Sequence, residues 1–169
     1  MEAVQAWHDV YLMTGTASAT LVGLLFVGLS LHVQVVVRHL EVRSLARTTL
    51  SNFFTVLVIS LIILAPTGEP RVSGGCLVGI AGLSLVLLVR PAINGIRGGS
   101  RKRLGLWVLL SRFWITAVCY VALGAMGLLF AAGQIPSALG GLLGIVILLL
   151  VTAVRNTWDL LVTVAGGEA

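Results

Sequence analysis

The run Leu142–Val151 reads LLGIVILLLV, ten residues without a charge or a strongly polar side chain. It lies inside a longer apolar stretch, Ser137–Val154. A barrel strand in lipid would alternate polar and apolar residues, and this run does not. A helix bonds every backbone group within itself, as a segment in lipid must. The stretch therefore predicts a membrane-spanning helix, and four others like it precede it. By the rule that about 20 mostly apolar residues cross a bilayer, spans are expected at about 11–36, 48–65, 75–89, 113–132 and 137–154. The third, near 15 residues, must borrow flanking residues, sit where the bilayer thins, or be covered by its neighbours.

Composition agrees. The chain has 169 residues, 58% of them hydrophobic and only 10% charged, against roughly half and a quarter in soluble domains. A body this small cannot hide so much apolar surface inside itself. The expected fold class is all-α: a polytopic bundle of about five transmembrane helices forming one domain over residues 1–169.

The charges set the expected orientation. Ten of the eleven Lys and Arg residues, including Arg38, Arg43, Arg47, Arg90, Arg97, Arg101, Lys102, Arg103, Arg112 and Arg155, fall on one side of a five-span chain; Arg71 falls on the other. Cytoplasmic loops gather Lys and Arg, so the N-terminus is expected outside and the C-terminus inside. Met1–Asp9 holds Glu2 and Asp9 but no basic residue, which is not the n-region of a cleaved signal; the first span is expected to be retained. The net charge of +5 then reflects topology, and no nucleic-acid partner is expected.

Small residues recur at helical spacing: Gly15, Ala19 and Gly23; Gly75, Gly79 and Gly82; Gly124, Gly127 and Ala131; Gly140 and Gly144. Such seams let helices approach in lipid. Some are expected to serve the fold of one chain and others to join subunits, and spacing does not assign them.

The first span is the most polar. Thr16, Thr20, Gly23, Val27, Ser30 and Gln34 follow steps of three and four, forming one stripe that is either a pore wall or a packing face whose hydroxyls bond to carbonyls of the preceding turn. His32, Asn52 and Thr55 are candidates for an inner vestibule beside that stripe. Arg38, Arg47, Arg90, Arg112 and Arg155, one at each inner boundary, are candidates for contacts with anions or lipid head groups.

Other classes find no support. No charged residue is expected near the middle of a span, which disfavours ion-coupled transport. No hydrolase, metalloprotease or phosphate-loop motif is present, so no catalytic residue, cofactor or metal is expected and the chain is not read as an enzyme. Cys76 and Cys119 lie far apart in apolar segments, reading as small core residues rather than a disulfide or metal pair.

The segment Ala6-Trp7-His8-Asp9-Val10-Tyr11, the run Gly15–Ser30 and the closing Asn156-Thr157-Trp158-Asp159-Leu160-Leu161-Val162 resemble a family of small multispanning bacterial inner-membrane proteins, largely actinobacterial, without established function. Some carry a label as modulators of a membrane protease. The resemblance implies a bacterial inner membrane and transfers no functional residues. The functional expectation is a homo-oligomeric channel or pore for ions or small solutes. The alternative is a non-conducting membrane protein that binds a protein partner or anionic lipid.

Overall fold

The computed structural model describes residues 2–31, 33, 40–65, 69–98 and 103–166, with side chains described except at 2–6, 40–41, 89–113 and 163–166. These form five helices: α1 (Glu2–Leu31), α2 (Leu40–Leu64), α3 (Pro70–Gly98), α4 (Arg103–Ala131) and α5 (Ile135–Gly166). All five are long and apolar enough to cross a membrane. The chain thus has the architecture of a multi-pass membrane protein.

The helices outrun the apolar spans that define them. α3 starts at Pro70, and its apolar segment runs 19 residues to Leu88, so the short third span borrows residues from its N-terminal side. Proline is at home there, because the first helical residue has no intrahelical use for an N–H. Glu69 closes that turn, its carbonyl accepting from the Val72 and Ser73 amides at 3.1 and 3.5 Å. α4 is continuous from Arg103, ten residues before the apolar span expected at 113. α5 carries on past Arg155 to Gly166.

The turn between α4 and α5 is set by Gly133, whose φ of 86° lies in the left-handed region. Its amide donates to Phe130 O at 3.0 Å, and the Gln134 amide to Leu129 O at 3.1 Å. This pair of bonds is the Schellman arrangement, which a Cβ at that φ would strain.

Successive helices are antiparallel neighbours, and α2 also meets α5. α2 is therefore the most enclosed helix; α1, held by α2 and more lightly by α5, is the least. One core cluster gathers Tyr11, Val56, Ile59, Leu77, Leu123, Leu139, Val146 and Leu149. A second, toward the end that carries Arg43, Arg47 and Arg155, gathers Leu25, Val42, Ala46, Phe53, Ala153 and Leu160. Outside, large apolar side chains such as Phe26, Phe54, Val86, Val121, Leu128 and Val151 are exposed on all five helices. That much apolar surface is a liability in water and ordinary in lipid.

The tightest seam joins α3 to α4. A Cβ at Gly74 would come within 2.6 Å of Gly127 O and Ala131 N, and one at Gly127 within 3.0 Å of Leu77 Cβ. Gly124 faces Ala81 across the same seam. Gly15 lies against Ser60 on α2, and Gly141 against Met126 on α4. By contrast, a Cβ at Gly23, Gly75, Gly79, Gly82, Gly140 or Gly144 would meet nothing. The small-residue stripes divide into those that close the bundle and those that face outward from it.

Candidate functional site

α1 is fixed to the bundle along one side. Tyr11, Ser18 and Leu25 are buried at intervals of seven. The Tyr11 hydroxyl donates to Leu139 O of α5 at 2.8 Å, and Ser18 Oγ donates to Phe53 O of α2 at 2.6 Å. Thr14 Oγ1 and Ser60 Oγ are 3.3 Å apart, sharing a hydrogen bond. Polar side chains reaching across to another helix's carbonyl tie helices together in lipid, each bond contributing about 1 kcal/mol.

The opposite side of α1 holds the stripe. Thr16, Thr20, Gly23, Val27 and Ser30 are all exposed, within an arc of about 80° at 3.6 residues per turn and roughly opposite Tyr11, Ser18 and Leu25. The structure brings these five together on one face, pointing away from the other four helices. Thr16 Oγ1 donates to Leu12 O at 2.8 Å, Thr20 Oγ1 to Thr16 O at 3.0 Å and Ser30 Oγ to Val27 O at 2.8 Å. Each hydroxyl proton is thus used within the helix, and the oxygen retains accepting capacity toward whatever lies outside. Gln34 lies outside the described residues.

Asn52 and Thr55 are elsewhere. Ser18 is level with Phe53, and Ser30 lies twelve residues further along α1, about 18 Å at 1.5 Å per residue. Asn52 and Thr55 face α3 and α4 instead, inside the bundle. Asn52 Oδ1 accepts from the Tyr120 hydroxyl of α4 at 2.9 Å. Ser51 Oγ lies 3.3 Å from the same hydroxyl oxygen. Thr55 Oγ1 donates to Ser51 O at 2.8 Å and lies 3.3 Å from Ser84 Oγ of α3. The structure therefore does not bring Ser30 together with Asn52 and Thr55; His32 lies outside the described residues.

This interior network is the feature that sequence reasoning missed. The available signal was Tyr120: a tyrosine within an apolar span needs a partner for its hydroxyl, and Asn52 is the strongest acceptor side chain in the neighbouring spans. The network is not saturated: Asn52 Nδ2 is buried and makes no hydrogen bond. Thr116 Oγ1 and both amide atoms of Asn156, outside this network, are also buried without a hydrogen-bond partner.

Among the candidate head-group arginines, Arg47 and Arg155 are exposed, on α2 and α5 at the same end of the bundle, where Arg43 is exposed as well. Arg38 lies outside the described residues, and the side chains of Arg90 and Arg112 lie outside the described side chains. At the opposite end, His8 and Asp9 are exposed and hydrogen-bonded to each other at 3.1 Å. Among the described residues no three His, Cys, Asp or Glu side chains converge as a metal site would need.

Comparison with protein-family models, with curated proteins and with solved structures returned no match.

Proposed function

We propose that copies of this chain assemble in a bacterial inner membrane with α1 toward a shared axis, and that the outward stripe of α1 lines a path for ions or small solutes. One observation carries the reading: a stripe of hydroxyls on the least enclosed helix points away from its own bundle. A stripe that served only the fold of one chain would be turned inward, as Tyr11 and Ser18 are. Around an axis, Thr16, Thr20 and Ser30 would present ring upon ring of hydroxyl oxygens, the kind of lining that partly replaces an ion's hydration shell. Gly23 leaves room between the rings. The N-terminus is taken as outside and the arginine-rich end as cytoplasmic, on the charge distribution.

Reconstitution tests the reading. Purified protein in liposomes is expected to pass a small ion or solute. Thr16→Leu and Thr20→Leu are expected to cut that flux without changing thermal stability, because both side chains are exposed and bond only within α1. A second reading draws on the same hydroxyls: since their protons are already used inside the helix, the stripe is also able to pack dry against a partner protein's helix. Silent liposomes together with a monomer in detergent would select that alternative. The reading assigns no catalytic step and no cofactor.

A further inference from the structure

We infer that each subunit carries a binding site for one anionic phospholipid on the exposed face of α2, with Arg43 and Arg47 as its head-group ligands. The face is a single line of residues at steps of four and three: Arg43, Arg47, Leu50, Phe54, Leu57 and Leu61. Arg43 and Arg47 are exposed, Leu50 and Leu57 are half-buried, and Phe54 and Leu61 are each 60% exposed. The line turns away from the neighbours of α2: Phe53 and Ser60 face α1, Asn52 and Thr55 face α3 and α4, and Val56 and Ile59 lie in the core cluster with Val146 and Leu149 of α5.

Charge complementarity decides the occupant. Two guanidinium groups one helical turn apart repel each other, and among the described residues neither is paired with an acid. Glu41 precedes Arg43 by two residues, a spacing at which helix side chains do not face each other. A phosphate offers several oxygens to planar, always-charged donors and relieves the repulsion. The apolar remainder selects a lipid over a free anion. From Arg47 to Leu61 is fourteen residues, about 21 Å of helix, more than the roughly 15 Å that one leaflet's hydrocarbon occupies, so an acyl chain has Leu50, Phe54 and Leu57 to lie along. The other exposed arginines lack this combination. Neither Arg155 nor Arg71 has a second arginine one helical turn away.

The site is independent of whether α1 lines a pore, and its test reads lipid rather than flux. The full-length protein in detergent is equilibrated with equal amounts of phosphatidylglycerol and phosphatidylcholine, and retained lipid is measured by native mass spectrometry. The expected result is one phosphatidylglycerol per subunit in preference to phosphatidylcholine. Arg43→Gln/Arg47→Gln is expected to reduce that preference by about ten- to thirtyfold, the scale of two lost arginine–anion attractions at a membrane surface, while Arg155→Gln leaves it unchanged. Each single variant is expected to give part of the loss, which keeps the test open if the double variant does not fold. Equal retention of the two lipids by the wild-type protein would overturn the assignment. So would an equal loss on Arg155→Gln, or displacement of phosphatidylglycerol by inorganic phosphate, which would mark a simple anion site.

Discussion

The Tyr120 hydroxyl donates to Asn52 Oδ1 at 2.9 Å, tying α4 to α2 in the interior of the bundle. Ser51 Oγ sits 3.3 Å from the same hydroxyl oxygen, so Tyr120 joins two consecutive residues of the most enclosed helix. Tyr120→Phe removes the bond and leaves the whole Asn52 amide without a side-chain partner. The expected cost is about 1–2 kcal/mol, read as a lower midpoint of thermal unfolding in detergent. Asn52→Leu/Tyr120→Phe, which removes both polar groups, is expected to be more stable than Tyr120→Phe alone. The opposite order would mean that the amide is satisfied by some other partner.

Gly74 sets the distance between α3 and α4. An added Cβ meets backbone atoms of Gly127 and Ala131, which cannot rotate aside as a side chain can. Gly74→Ala is expected to destabilise by about 1–3 kcal/mol, the usual range for overpacking. Gly79→Ala, on the same helix with open space around it, is expected to be neutral or to stabilise by up to about 1 kcal/mol through better helix propensity. Thermal unfolding of the two variants side by side decides whether close approach, rather than glycine content, holds this pair of helices.

α1 is held mainly by α2, and two of its polar ties are the bonds of Tyr11 and Ser18 to carbonyls of α5 and α2. Tyr11→Phe/Ser18→Ala is expected to loosen α1 selectively. Amide hydrogen exchange would rise in α1 with little change in α3 and α4, each lost bond contributing about 1 kcal/mol. A uniform rise across all five helices would mean that α1 unfolds only with the rest.

If α1 faces an axis, Gly23 lies close to its counterpart in a neighbouring copy. In a background with Cys76→Ser and Cys119→Ala, Gly23→Cys is expected to form intermolecular disulfides in native membranes under mild oxidation. Gly79→Cys, on an open face of α3, is the matched control. Equal cross-linking at the two positions, or none at either, would remove α1 from the axis.

The orientation has its own test. Gln134 is exposed in the α4–α5 turn, and Arg155 is exposed near the other end of α5. In the same cysteine-free background, a membrane-impermeant maleimide applied to intact cells is expected to label Gln134→Cys and to spare Arg155→Cys. The reverse pattern would invert the protein.

The count and type of the helices were legible in the sequence because lipid imposes a length and a polarity on anything that crosses it. Runs such as Leu142–Val151 meet both conditions on their own. The ends of the helices were less legible: Pro70 and Glu69 start α3 five residues before the apolar run at Gly75, because a helix terminus is decided by backbone bonding rather than by hydropathy. Of the candidate site, Thr16, Thr20, Gly23, Val27 and Ser30 were legible as one stripe, since periodicity alone places residues on a common face. Grouping Asn52 and Thr55 with the end of that stripe required the relative depth of two helices, and no pattern within either helix contains it.

By itself the sequence determined a five-helix, membrane-type chain with its basic residues gathered on one side. It did so because hydropathy and charge act on each segment separately. Only the tertiary structure decided which side of each helix looks inward. Gly74, not Gly75 or Gly79, meets α4; Ser18 holds α1 while Thr16 and Thr20 turn away; Asn52 finds Tyr120. The physical reason is that glycine stripes and hydroxyl stripes suit close packing equally well wherever they lie. The choice among them rests on rotations and depths shared by all five helices at once, and those exist only when the helices are assembled.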